Sequence, residues 1–191
     1  MTHKFRIVAL SIIIVLMIIA CIFLYIQNDG NNSNRITALE KMEQANYLAL
    51  EYSNTSKLVY IYSIGEIKED GTAFKWRYTY ANVSNGLEVI IDSNGDYQMN
   101  ELESPPSTAQ IVNCTLDSDE AIEIAYSNPT ISNYLEKYPR ADVVRIAFGA
   151  RINNSVCSIE WTDSGFADDP HNARIWIDAT TGEILDVEAD N

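Results

Sequence analysis

Ala173-Arg-Ile-Trp-Ile-Asp-Ala-Thr-Thr-Gly-Glu-Ile-Leu-Asp-Val-Glu188 alternates apolar and polar residues on either side of a turn. Ile175 and Ile177 fall on one face and Arg174, Trp176 and Asp178 on the other, the period of a strand with two unlike sides. Asp178-Ala-Thr-Thr-Gly182 reverses the chain, and Gly182 stands where a tight hairpin needs a positive φ. The phrase has an echo at Leu87-Glu-Val-Ile-Ile-Asp-Ser-Asn-Gly-Asp-Tyr-Gln-Met99, with Gly95 in the place of Gly182. The pair of hairpins predicts an α+β protein of two repeated modules, each a helix packed on a three- to four-stranded antiparallel sheet.

Working outward from the closing hairpin, the second module is expected over 115–191. Asp117-Ser-Asp-Glu120 opens a helix, with acids near the positive end of its dipole. Asn128-Pro129 interrupts that helix, and Pro139 ends the segment that follows. Strands over 143–148 and 156–162 precede the hairpin. A linker over 104–114 contains Pro105-Pro106, which cannot donate to a ladder. The first module, 36–103, begins with a helix over 37–52, where Thr37 and Glu40 fit a capping box. Strands follow over 58–64, 74–80, 87–92 and 97–99. Phe74, Trp76, Tyr78 and Tyr80 share one strand face and read as core, with Lys75, Arg77 and Thr79 opposite.

The chain has 191 residues and a net charge of −14. Such a surface argues against nucleic acid, which is held by basic residues that release counterions. Residues 7–26 carry no charge, and a helix of that length spans about 30 Å, the thickness of a bilayer. Lys4 and Arg6 precede it, so residues 1–6 are expected in the cytoplasm. A flexible tether over 27–35 and everything beyond it are expected outside, on a single-pass signal anchor in the cell membrane. Two alternatives stay open: a cleaved signal peptide, and lipidation at Cys21, since Ile18-Ile19-Ala20-Cys21 resembles a lipobox. All three export the rest. Asn31, Asn54, Asn82, Asn113 and Asn153 open Asn-x-Ser/Thr triplets and are candidate glycosylation sites in an exported chain.

Residues 115–188 resemble a PepSY domain in Asp117-Ser-Asp-Glu-Ala-Ile-Glu-Ile-Ala125, the Val143-Val-Arg-Ile146 strand, the Trp161 strand and the closing hairpin; 36–103 resemble it more loosely. The resemblance implies a non-catalytic binding or inhibitory module outside the membrane, of the kind proposed to restrain a peptidase. The partner would be an envelope protein or peptide, and the family has no catalytic residue to carry over.

The residues agree with a non-enzyme that needs no cofactor. His171 is the only histidine beyond the N-terminal tail, so neither a zinc set nor a catalytic triad assembles in the sequence. Asp92, Asn94, Asp96, Asn100 and Glu103 approach a calcium-loop frame, but Gly95 stands at the wrong place in it and a hairpin turn suffices. No resident metal is expected; Asp163, Asp168 and Asp169 are the candidates for a hard cation. Cys114 and Cys157 are a candidate disulfide, the alternative being two buried thiols. Tyr60, Tyr62 and Trp176 lie on strand faces opposite the expected core and are the candidate partner-binding anchors. Beside the binding module stand two alternatives: a structural surface glycoprotein without a client, and a cation-binding sensor.

Overall fold

The structure is a computed structural model that describes residues 35–106, 110–111, 113–151, 154–164 and 170–190. Its elements are α1 (Met42–Tyr52), β1 (Lys57–Ile67), β2 (Ala73–Ala81), β3 (Gly86–Asp92), β4 (Tyr97–Leu102), α2 (Ser118–Ser127), α3 (Pro129–Lys137), β5 (Asp142–Arg151), β6 (Asn154–Asp163), β7 (His171–Asp178) and β8 (Ile184–Ala189). The strands form a single antiparallel sheet in the order β4-β3-β2-β1-β5-β6-β7-β8.

That order corrects the expected pair of modules. Separate modules would each own a sheet, whereas here β1 pairs with β5 through Tyr60↔Gly149, Ile61↔Phe148 and Tyr62↔Ala147. Arg35–Asn191 is accordingly one compact unit. The physical reason is that β1 and β5 would each end a four-stranded sheet. An edge rich in Val, Ile, Tyr and Phe leaves a row of unpaired N–H and C=O groups open to unwanted pairing. Joining the edges satisfies those groups and buries Ile61 and Phe148 completely.

The expected membrane-spanning helix is not part of this architecture either. Among the described residues no helix is long and apolar enough to cross a membrane, and 7–26 lie outside the described residues. The tail over 1–6 and most of the tether over 27–35 lie outside them too.

One face of the sheet carries the core. The row Met99–Val89–Tyr78–Ile61–Phe148–Cys157–Ile177–Ile184 runs across all eight strands on that face. The helices lie over it, and polar tips of large side chains tie the layers together. Trp76 Nε1 donates to the Ile36 carbonyl at 2.8 Å, and the Tyr78 hydroxyl to that of Ala38 at 3.0 Å. The Tyr80 hydroxyl reaches Asn46 Oδ1 at 2.8 Å, and the Tyr134 hydroxyl the His171 carbonyl at 2.8 Å. Trp76, Tyr78 and Tyr80 are therefore buried as expected. Phe74 is 44% exposed, near the start of β2 at the margin of the helical layer.

Local chemistry sets the ends of the elements. Gly95 and Gly182 take φ of 85° and 74°, as their turns require. Beside Gly182, Asp178 Oδ1 accepts from the N–H groups of Thr180 and Thr181 at 2.9 Å each. Asp117 caps α2 in a full capping box with Glu120, at the helix start that the sequence predicts. The box expected at Thr37 and Glu40 does not form: α1 starts at Met42 without a side-chain cap. Thr37 instead donates its hydroxyl to Asp117 Oδ2 at 2.6 Å, and Leu39 N–H donates to Asp117 Oδ1 at 2.9 Å. One carboxylate thus serves two chain segments. A charged acceptor outcompetes a neutral one for both donors.

Candidate functional site

The face opposite the helices brings together residues that the sequence keeps far apart. Cross-strand partners point to the same side of a sheet, so the register defines a second row: Gln98–Ile90–Arg77–Tyr62–Ala147–Ser158–Trp176–Asp186. Tyr60 lies beside Tyr62 in the neighbouring row, between Thr79 and Gly149. The three candidate anchors, Tyr60, Tyr62 and Trp176, therefore share one face. All three are half-buried rather than fully exposed.

Each aromatic ring is partnered by an arginine. Arg77 lies 4.7 Å from the Tyr62 centroid, Arg145 5.9 Å from that of Tyr60, and Arg174 5.3 Å from that of Trp176. Such cation–π pairs fix a long side chain flat on the sheet and keep its charge near the surface. Two glutamates tie the arginines down. Glu88 accepts from Arg77 at 3.0 Å, and Glu160 bridges Arg145 and Arg174. Arg145 also donates to the Tyr60 hydroxyl. Arg77 Nε, the buried nitrogen of its guanidinium, meets no acceptor among the described residues. Burial pushes the Tyr62 hydroxyl above the ordinary tyrosine range, with Arg77 opposing the shift, so it stays a neutral donor at physiological pH.

Between the aromatic groups the floor is made of small residues. Ala147 and Ser158 separate Tyr62 from Trp176, and the Tyr60 ring lies over Gly149. A Cβ at Gly149 would come within 3.1 Å of Tyr60 Cδ2. Three interstrand steps of about 4.8 Å set the aromatic walls roughly 14 Å apart. The Arg145–Glu160–Arg174 network crosses one end of this trough.

The arginines and Gly149 were not singled out in the sequence. A signal was present for Arg174, which stands two residues from Trp176 and so shares its face. For Arg77 and Arg145 it was absent, because only strand pairing, β1–β2 for Arg77 and β1–β5 for Arg145, places them beside tyrosines.

The remaining candidates fall elsewhere. Asp163 is buried at the end of β6, while Asp168 and Asp169 lie outside the described residues. Among the described residues no group of three or more His, Cys, Asp or Glu is placed to hold a metal ion. His171 stacks on Tyr138 at 4.3 Å. Asp92 Oδ1 accepts from Asn94 and Asp96 N–H, so the calcium-like frame is a hairpin turn. Cys114 and Cys157 are free thiols rather than a disulfide. Burial, with Asp117 nearby, pushes the Cys114 thiol up to about 12; burial also raises that of Cys157. Asn54 and Asn113 are exposed, Asn82 is half-buried with its Oδ1 capping a turn, and Asn31 and Asn153 lie outside the described residues.

No family model matches the chain, and no curated protein matches it. Among solved structures, the chain is similar to a "putative lipoprotein" from Clostridium difficile 630. The TM-score is 0.54 at 15% identity, over 81% of this chain and 95% of that one. At that identity the likeness is one of fold.

Proposed function

We propose that the protein is a non-catalytic, extracytoplasmic binding module that holds a protein or peptide in the trough on the open face of its sheet. The observation that carries the proposal is the cross-sheet row. It gathers Tyr62 and Trp176, with Tyr60 beside them, onto one face, each paired with an arginine. Tyr, Trp and Arg are the residue types in which binding energy concentrates. Here they are held in place before a partner arrives, which lowers the ordering cost of association.

The resemblance of 115–188 to PepSY domains supports the same reading and suggests an envelope peptidase as one such partner. Attachment is proposed through a lipid on Cys21, since the chain resembles a lipobox there and the structurally similar protein bears the name of a lipoprotein. Metabolic labelling with a palmitate analogue, lost in Cys21→Ser, tests the attachment.

The test of binding is site-specific. A photo-crosslinking amino acid at position 60, 62 or 176 should trap one envelope protein in cells, and the same probe at Glu136 should not. Trp176→Ala should weaken that association by about 30-fold, near 2 kcal/mol. Crosslinks arising only from the helical side would contradict the proposal. The alternative of a structural surface glycoprotein draws on the exposed Asn54 and Asn113, and glycans found there with no crosslinked partner would favour it.

A further inference from the structure

The two edges of the sheet are unlike. β8 carries Asp186 and Glu188, and its pairing to β7 shifts register between Trp176 and Ile177; charge and irregularity both discourage further pairing. β4 lacks the irregularity and carries one charged residue, Glu101. It pairs with β3 without a break over six positions, from Gly86↔Leu102 to Ile91↔Tyr97, and has no proline or lysine. Tyr97 is 56% exposed and Met99 37%, beyond the margin of the helical layer.

The hydrogen-bond phase of β4 follows from its turn. Asp92 N–H donates to the Asp96 carbonyl at 3.0 Å, and Gly95 N–H to the Asp92 carbonyl at 3.0 Å, so Asp92 and Asp96 form the bonded pair. Antiparallel pairs alternate between bonded and non-bonded. Tyr97, Met99 and Glu101 therefore turn their N–H and C=O groups away from β3, toward the open edge. Among the described residues no strand pairs with that edge. Tyr97 and Met99 project on the core side of the sheet, and Gln98 and Asn100 on the trough side. Asp96, Glu101 and Glu103 are exposed along the same edge.

We propose that β4 is a second docking site, which takes an extended basic peptide as a ninth strand. Its backbone would bond to Tyr97, Met99 and Glu101, and its alternate apolar side chains would extend the core side beside Tyr97 and Met99. The three carboxylates select lysine or arginine at the intervening or flanking positions. They also disfavour a second copy of this chain. In a self-pair centred on Met99, Glu103 of one copy would meet Gly95 and Asp96 of the other, between molecules of net charge −14 each. The site is independent of the trough, and Trp176→Ala should leave it intact.

The experiment uses the full chain and a synthetic heptapeptide alternating valine with lysine. Adding the peptide should slow amide exchange at Tyr97, Met99 and Glu101, with Gln98 and Asn100 little changed because they already bond to β3. Met99→Pro removes the central outward donor but no bond to β3, and should weaken binding about tenfold or more; Met99→Thr, which keeps the N–H, should bind nearly as the parent does. Should Met99→Pro fail to fold, methylating alternate peptide nitrogens removes the same class of bond from the other side and should abolish binding. A valine–glutamate peptide binding equally well, no exchange protection at millimolar valine–lysine peptide, or indifference to N-methylation would each overturn the proposal.

Discussion

Single residues constrain this fold where backbone and side chain compete for the same space. Gly71 takes a φ of 78°, and a Cβ there would lie 2.3 Å from the Ser118 carbonyl oxygen. Gly71→Ala adds backbone strain to a clash with backbone that cannot yield, so it should cost more than about 2 kcal/mol in urea unfolding. Asp178 makes a contrasting, pH-dependent contribution. Its carboxylate accepts from Thr180 and Thr181 N–H, which holds its pKa below the ordinary aspartate value. A depressed folded pKa means the stabilisation is present above about pH 3.9 and is lost as the pH falls through the lower folded value. Melting temperatures between pH 5 and pH 2 should drop less steeply in Asp178→Asn than in the parent. The turn residues were legible in the sequence because a turn is a local problem: Asp, Gly and their spacing suffice.

At the scale of elements, Asp117 joins what the sequence describes as two separate helix starts. It caps α2 and also receives Thr37 and Leu39, while Ser118 Oγ accepts from Ala38 N–H at 3.0 Å. Asp117→Ala should cost about 2–3 kcal/mol, since it removes a cap and strands a second set of donors. Glu120→Ala loses only the exposed half of the capping box and should cost less than about 1 kcal/mol. Here the sequence was only half informative. Asp117-Ser-Asp-Glu120 announces α2 correctly. Thr37 and Glu40 announce a cap that does not form, because the competing acceptor stands 80 residues away. A similar limit applied to Phe74, whose alternation with Trp76 said which face it takes but not how far the helical layer extends.

Across the whole molecule the decisive feature is the β1–β5 pairing, which turns eight strands into one sheet and sets Tyr60 and Tyr62 across one trough from the distant Trp176. Strand periodicity gives the face of each side chain, and all eight strands could be read from it. It does not name a strand's neighbour, so the sequence offered two modules where the structure has one sheet, and the anchors were found without their arginines. A shared sheet should unfold as a unit. Urea transitions followed through Trp76 alone, or through Trp161 and Trp176, should coincide. Phe148→Ala, at the fully buried centre of the joint, should lower both midpoints together at a cost of about 3–5 kcal/mol. The most direct measurement is nuclear Overhauser contact between backbone protons of Tyr60–Tyr62 and those of Ala147–Gly149 in the labelled full chain. A continuous sheet predicts strong cross-strand contacts in the antiparallel register Tyr60↔Gly149, Ile61↔Phe148 and Tyr62↔Ala147. Protected amides on both strands with no contact between them would show two separate sheets, and the shared binding face would be lost with the joint.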